Sequence, residues 1–274
     1  MMRLVLVGGG SFIARHMHRA GLKSGVDILS VPHDTDLGPV LKSSDAVINF
    51  ALNPAYFSGS YSEENDCDLR TARHAARAGA RMAMLSTRRV YPSAVRWNAH
   101  ETDEAIGDET AYGKNKARSE ASILELFNGR VAIFRLSNVF GFEYEPDRNR
   151  RTFLAQMMRT LKTENAIRFD MHPDTRRDFI PVEAGVKAIL LRVQEAVDGI
   201  FNLGCGFPVR CGDVARWVME GYGGGALAVD PPAVKDEFFL NMDRWQSRFD
   251  PPIDPDGLRL YCQELGERLQ LAKF

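Results

Sequence analysis

Residues 4–14 read LVLVGGGSFIA, and this stretch decides the fold. Its four apolar residues, Leu4 to Val7, predict a short strand, and the residues that follow Ser11 have helical character. Three consecutive glycines, Gly8 to Gly10, lie between the two and predict a tight turn. The stretch therefore indicates a strand, a tight turn and a helix, in that order.

The same alternation continues along the first half of the chain. Apolar runs predict strands at residues 26–31, 45–52, 81–87 and 131–136, and helical patterns cover residues 68–78 and 111–127. Runs that are apolar throughout suit strands buried on both faces, and helices between consecutive strands imply parallel order. We predict an α/β fold with a Rossmann-type, doubly wound parallel sheet.

The glycine turn has a chemical use as well as a structural one. Without side chains, the backbone N–H groups at Gly8 to Gly10 can be approached by a pyrophosphate at the positive end of the following helix. An ordinary strand-to-helix turn is the alternative, because a glycine cluster alone is a weak motif. We expect a nucleotide-binding domain in residues 1–140. From Gly141 the elements become shorter and prolines punctuate them, so residues 141–274 are assigned mainly to a smaller C-terminal substrate-binding region, with some segments returning to the sheet.

The composition excludes several classes of protein. The 35 Lys and Arg residues nearly balance the 36 Asp and Glu residues, so no overall field attracts nucleic acid or a membrane. The apolar N-terminal run is too short for a signal peptide, and no stretch of about 18 uninterrupted apolar residues could span a membrane, so we expect a cytoplasmic protein. The four cysteines lack metal-type spacing, which predicts free buried thiols and no metal site.

Tyr112 and Lys116 stand four residues apart in the later of the two predicted helices, so their side chains share one helix face. A free tyrosine has a pKa of about 10 and is a poor base at neutral pH unless positive charge stabilises its phenolate. Lys116 could supply this charge and hold the ribose of a nicotinamide cofactor, while Tyr112 exchanges a proton with a substrate hydroxyl or carbonyl. The alternative is a solvated helix face that carries no chemistry.

These segments resemble the extended short-chain dehydrogenase/reductase family, the NAD-dependent epimerase/dehydratase group. Residues 8–14 are similar to its GxxGxxG turn, although Ser11 and Ala14 replace two of the three glycines. Residues 85–91, LSTRRVY, resemble the family segment SSxxVYG, in which the hydroxyl three residues before the valine hydrogen-bonds the reacting oxygen. The resemblance implies a catalytic set of Thr87, Tyr112 and Lys116. The alternative for Thr87 is a capping role in the segment that follows.

Further matches extend the resemblance over most of the chain. They lie at residues 45–52, at Asn65, at Glu101, and at residues 135–141, 177–182 and 200–204. The resemblance implies that the cofactor is bound by Gly8, Gly10, Ser11, Phe12, Ile13, Arg15, Ser30, His33, Asp36, Leu37, Phe50, Ala51, Leu52, Leu85, Ser86, Tyr112 and Lys116. It assigns the substrate to Thr87, Arg88, Asn138 and Arg177.

The residues at the end of the second predicted strand bear on the choice of cofactor. Family members that prefer NAD usually carry an acidic residue there to bond the ribose 2′-hydroxyl, whereas this chain has Ser30 to His33, with Asp34 slightly late. A 2′-phosphate could be received by Ser30, His33 or Arg15. We therefore expect NADP, and NAD remains the alternative.

Arginines bear on the kind of substrate. Arg177 matches the family position that contacts a nucleotide diphosphate, and planar guanidinium groups bond phosphate oxygens bidentately. Further arginines that could enlarge this basic site are Arg88, Arg148, Arg150, Arg151 and Arg176. For each loop arginine a solvated surface is the alternative. Together with the resemblance, they favour a nucleotide-activated sugar as the small-molecule substrate.

The resemblance also bears on the reaction. Family dehydratases carry Asp-Glu after the hydroxyl residue, whereas Arg88 and Arg89 follow Thr87 here, so elimination is disfavoured. The short stretch from residue 28 to residue 45 resembles the 4-keto-sugar reductases of the family. We expect reduction of a 4-keto group with Tyr112 as proton donor, with C4 epimerisation and a non-catalytic dinucleotide-binding regulator as the alternatives. The resemblance further implies a homodimer that pairs the helix of Tyr112 and the helix before it.

Overall fold

The structure is a computed structural model that describes residues 2–144, 153–234 and 236–272. Most of the predicted charged loop at residues 143–151 lies outside the described residues. With it lie three of the arginines considered for the substrate site, Arg148, Arg150 and Arg151.

A six-stranded, fully parallel sheet forms the centre of the molecule. Its strands are β1 (Arg3–Val7), β2 (Asp27–Val31), β3 (Ala46–Asn49), β4 (Arg81–Thr87), β6 (Ala132–Leu136) and β11 (Gly199–Leu203). They lie in the order β11-β6-β4-β3-β1-β2. From β1 the chain moves to one side for β2 and then returns past β1 to β3, so the carboxyl ends of β1 and β3 flank a topological switch point, where ligands bind in such sheets. The predicted parallel α/β fold is confirmed.

Helices cover both faces of this sheet. They are α1 (Phe12–Lys23), α2 (Cys67–Ala78), α3 (Ala111–Leu126), α5 (Val182–Gln194) and α7 (Asp243–Gln246). The helices α4 (Phe153–Glu164), α6 (Cys211–Tyr222) and α8 (Pro255–Leu271) pack in a separate core. Alternate residues of a strand point to opposite faces. In β1, Leu4 and Leu6 pack in one core with α1 and α5, while Val5 and Val7 pack in another core with α2. This alternation makes the sheet doubly wound.

The second half of the chain builds a further core and returns one strand, β11, to the sheet. α4, α6 and α8 pack around a parallel pair of strands, β8 (Ala166–Met171) and β13 (Ala226–Val234). The remaining short strands are β5 (Trp97–Ala99), β7 (Asn138–Phe140), β9 (Arg176–Arg177), β10 (Phe179–Pro181), β12 (Val209–Arg210) and β14 (Phe239–Leu240). The pairs β7–β10, β9–β12 and β5–β14 lie beyond the main sheet, and the candidate-site residues Asn138 and Arg177 lie on β7 and β9.

Most predicted boundaries agree with the structure, and β4 spans residues 81–87 as predicted. The strand predicted at residues 45–52 is too long, because β3 ends at Asn49. The Asn49 side chain accepts a hydrogen bond from Ala51 N (3.1 Å) and donates one to the Ala51 carbonyl (2.9 Å), which turns the backbone out of the sheet. A polar side chain that bonds its own backbone two residues on competes with the strand ladder.

Two further sequence features have counterparts in the structure. The cysteines Cys67, Cys205, Cys211 and Cys262 are all free and buried, as predicted. Among the residues that the structure describes, no helix combines the length and apolar character that a membrane crossing requires.

Candidate active site

The glycine turn lies where the backbone of two strands meets the start of α1. Gly8 has a φ of 76°, and a Cβ there would lie 2.9 Å from Ala51 N, so a side chain is excluded by both conformation and space. Ser11 is the N-cap of α1, and its Oγ accepts a hydrogen bond from Ala14 N at 3.3 Å. The serine that replaces a family glycine thus stabilises the helix whose N-terminus faces the cleft.

Two adjoining cavities form one cleft along the carboxyl ends of the strands. The first, of about 990 Å³, contains the glycine turn and the residues after β2 and β3. The second, of about 510 Å³, contains the ends of β4 and β6 and the start of α3. Four residues line both cavities: Ser11, Phe50, Ala51 and Leu52. The cleft is therefore continuous, as an extended dinucleotide requires.

Most of the predicted site residues lie in this cleft. The first cavity holds Gly8, Gly10, Ser11, Ser30, His33, Phe50, Ala51 and Leu52. The second holds Phe12, Ile13, Leu85, Ser86, Thr87, Tyr112, Lys116, Asn138 and Arg177. The three residues predicted to be catalytic thus share one cavity, next to the end of the glycine turn.

The position of α3 brings Tyr112 to the end of β4. Thr110 caps the helix, and its Oγ1 accepts a hydrogen bond from Gly113 N at 3.1 Å. A Cβ at Gly113 would collide with the Arg89 carbonyl, so glycine allows the first turn of α3 to pack on the turn that follows Thr87. The half-buried Tyr112 ring stacks on Phe57, with centroids 5.2 Å apart and planes at 21°.

Lys116 is buried and held by fixed partners. Its Nζ donates to Asp68 Oδ2 at 2.6 Å and to the Leu85 carbonyl at 2.9 Å. Asp68 Oδ1 in turn accepts from Asn49 Nδ2 at 2.8 Å. Burial lowers the pKa of Lys116, but the Asp68 carboxylate outweighs it and the net pKa is raised. The ammonium is therefore charged at neutral pH, and the bonds tie α3 to α2, β3 and β4.

The capping role that was the alternative for Thr87 is confirmed, and its catalytic role stays a prediction. Its Oγ1 accepts from Arg89 N at 3.3 Å and so caps the one-turn helix at Arg88–Val90, and the residue also lines the second cavity. The neighbouring Ser86 bonds Glu120, which forms a bidentate pair with Arg135, with Nη2 2.7 Å from Oε2. This buried network fixes the end of β4 against α3.

Three arginines surround one carboxylate beside the second cavity, and one of them, Arg177, lines it. Arg177 Nη2 lies 3.1 Å and Arg96 Nη1 2.6 Å from the two Asp236 oxygens. Arg88 lies 3.8 Å from Asp236 and rests on the Phe238 ring. Burial, followed by repulsion from Arg89, lowers the pKa of Arg88, so this guanidinium would gain from an additional anion. We call these four residues, Arg88, Arg96, Arg177 and Asp236, the arginine cluster.

Four predicted site residues line neither cavity. Leu37 is 3% exposed and packs in the core beside α2 because it is an apolar residue in a loop that crosses this core. Asp36 lies in the same loop and accepts a hydrogen bond from Gly38 N at 2.9 Å. Arg15 lies further along α1 than the residues that face the cleft. Arg88, the fourth, belongs to the arginine cluster beside the cavity. Arg176, one of the arginines considered for enlarging the basic site, also lines neither cavity and stacks on Trp97.

Several cleft residues have no signal in the sequence. Asp68 lines the second cavity, and Asn53, Cys67 and Arg70 line the first. Asp34, which the sequence had placed just after the second strand, also lines the first cavity. Arg70 Nη2 donates to the His33 carbonyl at 3.1 Å, which places a cation beside the loop after β2. Asp68 stands in the first turn of α2, where an acidic residue is expected for the helix dipole alone, so only the tertiary contact with Lys116 distinguishes it.

A glycine turn at the switch point of a parallel sheet, continuous with a cavity that holds a tyrosine and a lysine one turn apart, defines a dinucleotide-dependent enzyme. The model of the NAD dependent epimerase/dehydratase family matches residues 4–204. The chain belongs to this family of enzymes. No curated protein matches its sequence significantly.

Solved structures of similar fold cover nearly the whole chain. A UDP-N-acetylglucosamine 4-epimerase from Methanobrevibacter ruminantium M1, in complex with UDP-N-acetylmuramic acid, has a TM-score of 0.79 and 17% identity, covering 97% of both chains. A UDP-N-acetylglucosamine 4-epimerase from Bacillus cereus has a TM-score of 0.79 and 15% identity, covering 98% of this chain and 100% of the other. A dTDP-4-dehydrorhamnose reductase from Yersinia enterocolitica has a TM-score of 0.75 and 14% identity, covering 99% and 100%.

Proposed function

We propose that the protein is an NADP-dependent reductase of a nucleotide-activated 4-keto sugar. The observation that carries this proposal is the continuous cleft, in which a dinucleotide turn, a Thr87–Tyr112–Lys116 set and Arg177 follow one another. A dinucleotide fits the first cavity because Gly8 leaves room for its pyrophosphate and α1 presents its N-terminus there.

Each catalytic side chain has a role that its contacts support. Thr87 would donate a hydrogen bond to the keto oxygen, and Tyr112 would give this oxygen its phenolic proton. When bound, the reduced cofactor would supply the hydride that adds to the carbonyl carbon. The C=O π bond is then replaced by one C–H and one O–H bond, and Tyr112 regains a proton from solvent. Two of the three Lys116 donors are engaged by Asp68 and Leu85, and the third would bond the nicotinamide ribose.

The arginine cluster supports a substrate with a diphosphate. Three guanidinium groups face the one carboxylate of Asp236, so the cluster carries an excess of positive charge. Arg177 extends from the cluster into the second cavity. A nucleoside diphosphate has the charge and the oxygen geometry that such a cluster binds.

The residues that follow Thr87 support reduction over elimination, because two arginines, Arg88 and Arg89, stand where the dehydratases of the family carry an acidic pair. These two residues follow Thr87, and their side chains bind Asp236 and Asp108 respectively. C4 epimerisation is the second candidate, because epimerases are among the solved structures of similar fold. An epimerase would oxidise and reduce the same substrate and so leave the cofactor unchanged overall.

A substrate panel separates these reactions. The protein would be mixed with NADPH and a set of dTDP- and UDP-linked 4-keto-hexoses, and separately with NAD and UDP-glucose or UDP-N-acetylglucosamine. The proposal expects oxidation of NADPH in equal amount to the ketone consumed. Interconversion of C4 epimers without net consumption of cofactor would show that the protein is an epimerase instead. Cofactor binding without any turnover would show that it is a non-catalytic regulator instead.

NADP is proposed from the side chains after β2. Ser30, His33 and Arg70 line the first cavity there, and all can donate to a 2′-phosphate, whereas Asp34 would favour the hydroxyl of NAD. Calorimetric titration is expected to give tighter binding of NADPH than of NADH. Arg70→Ala should weaken NADPH binding about tenfold and leave NADH binding nearly unchanged. The matched control is Arg73→Ala on the same helix, since Arg73 pairs with Glu63 at the surface.

A homodimer remains part of the proposal. α2 and α3 pack against each other, and in a dimer the two copies of this pair would form a four-helix interface. Light scattering at micromolar concentration is expected to give twice the mass of the chain. A monomer under these conditions would contradict the assignment.

A further inference from the structure

Asp68 is the only acidic side chain among the described residues that line the second cavity. It is 2% exposed, and both of its oxygens are engaged, one by Lys116 and one by Asn49. A buried carboxylate in contact with an ammonium weakens the positive potential that the ammonium exerts on its other neighbours, because the two charges are opposite.

The titratable groups that face Lys116 come from two helices. α2 contributes Asp68 in direct contact, its N-cap Asp66 lies at longer range, and α3 contributes Tyr112. β4 contributes the carbonyl of Leu85. Burial raises the pKa of Asp66, whose carboxylate is engaged by Ser119 Oγ at 2.6 Å. Asp68 is therefore the acid in direct contact with the ammonium.

Two neutral aromatic rings contact the Tyr112 ring. It stacks on Phe57, and the Tyr56 ring meets it edge-on with centroids 6.4 Å apart. Burial raises the pKa of Tyr56, so this phenol is neutral. Among the described residues that line the second cavity, Lys116 and Asp68 are therefore the charged pair closest in the fold to Tyr112, which lies one turn before Lys116 on α3.

We propose that Asp68 is a positioning residue that cancels much of the field of Lys116 and so keeps the Tyr112 phenol protonated in the resting enzyme. The inference rests on the proposed function, because a protonated phenol suits a reductase, which must give a proton, better than an enzyme that first removes one. Asp68 also orients Lys116, so the ammonium can hold the ribose of the cofactor without turning Tyr112 into a base.

The test measures the phenol directly and needs no substrate. Tyrosine labelled with ¹³C at the ζ carbon reports ionisation by NMR, and the Tyr112 signal is the one lost in Tyr112→Phe. The unliganded protein is titrated as wild type, Asp68→Asn and Asp68→Glu. Asp45→Asn is the matched control, because Asp45 is a buried carboxylate 2.6 Å from Arg3 at the opposite ends of the strands.

The expected results differ clearly between the variants. Asp68→Asn keeps an oxygen for Lys116 but removes the charge, so the Tyr112 signal should titrate about one to three pH units lower, a 10- to 1000-fold weaker hold on the proton. Asp68→Glu and Asp45→Asn should titrate as the wild type does. An unchanged midpoint in Asp68→Asn, or an equal shift in Asp45→Asn, would overturn the inference.

The wild type provides a second measurement if Asp68→Asn does not fold. The midpoint of its Tyr112 titration should lie above about pH 8.5, and a midpoint below that value would overturn the inference. The NMR titration tests the role of Asp68, and the substrate panel tests the proposed function, so either proposal can be rejected without the other. A lowered midpoint in Asp68→Asn without any ketone turnover would support the role of Asp68 and reject the proposed function.

Discussion

Two ion pairs with buried carboxylates, Lys116–Asp68 and Arg3–Asp45, have the same chemistry at opposite ends of the central sheet. In each, a carboxylate oxygen lies 2.6 Å from the nitrogen of its cation. Asp45 precedes β3 at the amino ends of the strands, where it also accepts from Lys42 N at 2.8 Å. Asp68 lies at the carboxyl ends, and both it and its lysine line the cavity that holds Tyr112.

The difference lies in what surrounds each pair. The pair at the amino ends joins a strand to the loop before its neighbour, and its arginine is 22% exposed against 7% for Lys116. The other pair lies at the carboxyl ends of the strands, near the topological switch point where ligands bind in such sheets. The same bond thus contributes stability at one edge and, by our account, controls reactivity at the other.

The largest expected effect follows from removing each cation in turn. Lys116→Met should lower kcat for ketone reduction by about 100- to 10,000-fold, because Tyr112 and the cofactor ribose lose their positioning group. Arg3→Met makes the same chemical change at the other pair and should lower stability to denaturant with turnover kept within about twofold. Steady-state kinetics and urea unfolding of both variants provide the measurement. Equal losses of kcat would remove the distinction between the two edges.

A second, smaller effect is expected at Arg177, whose partner Asp236 is partly exposed. Arg177→Gln should raise KM for the nucleotide sugar about 10- to 100-fold, because charge-assisted bonds to the diphosphate are lost, and should leave NADPH binding unchanged. Arg176→Gln is the matched control, since Arg176 stacks on Trp97 and pairs with Glu237 away from the cavity. A KM that rises equally in both variants would contradict the assignment of the arginine cluster to substrate.

The smallest effect is a pH-dependent loss of stability at the amino edge. Burial raises the pKa of Asp45, but bonds from Arg3 and Lys42 outweigh it and the net pKa is lowered. A lowered folded-state pKa contributes stability above the unfolded value of about 3.9 and loses it as the pH falls through the folded value. Asp45→Asn should therefore cost about 2 kcal/mol between pH 5 and 8.

This difference from the wild type should shrink below about pH 4, because protonation of Asp45 removes from the wild type the charge that the variant already lacks. Urea unfolding at a series of pH values would measure it. A difference that stays constant down to the lowest pH would mean that packing, and not the charge of Asp45, accounts for the loss.

The local part of this arrangement could be predicted from the sequence. The strand, the glycine turn and the helix over residues 4–14 follow from patterns within a few residues, and so does the shared helix face of Tyr112 and Lys116. The parallel arrangement of the sheet follows from the alternation of strands and helices. These features depend on interactions between residues that are close together in the sequence.

The rest depends on contacts between distant segments. Asp68 meets Lys116 across 48 residues, and Asp236 meets Arg177 across 59, so neither partner is indicated by its own neighbours in the chain. Leu37 shows the converse, since its place in a loop after β2 suggested the cofactor while its apolar side chain packs in the core. Charge balance within a site is a tertiary property, and it was the part that sequence patterns missed.

The most direct test of the account compares the wild type with Tyr112→Phe in the oxidation of NADPH by a 4-keto nucleotide sugar. The variant should lose about 100-fold or more in kcat, because the proton donor is gone, and should bind NADPH within about threefold of the wild type. Identical rates in the two proteins would contradict the claim that the Tyr112 phenol delivers the proton.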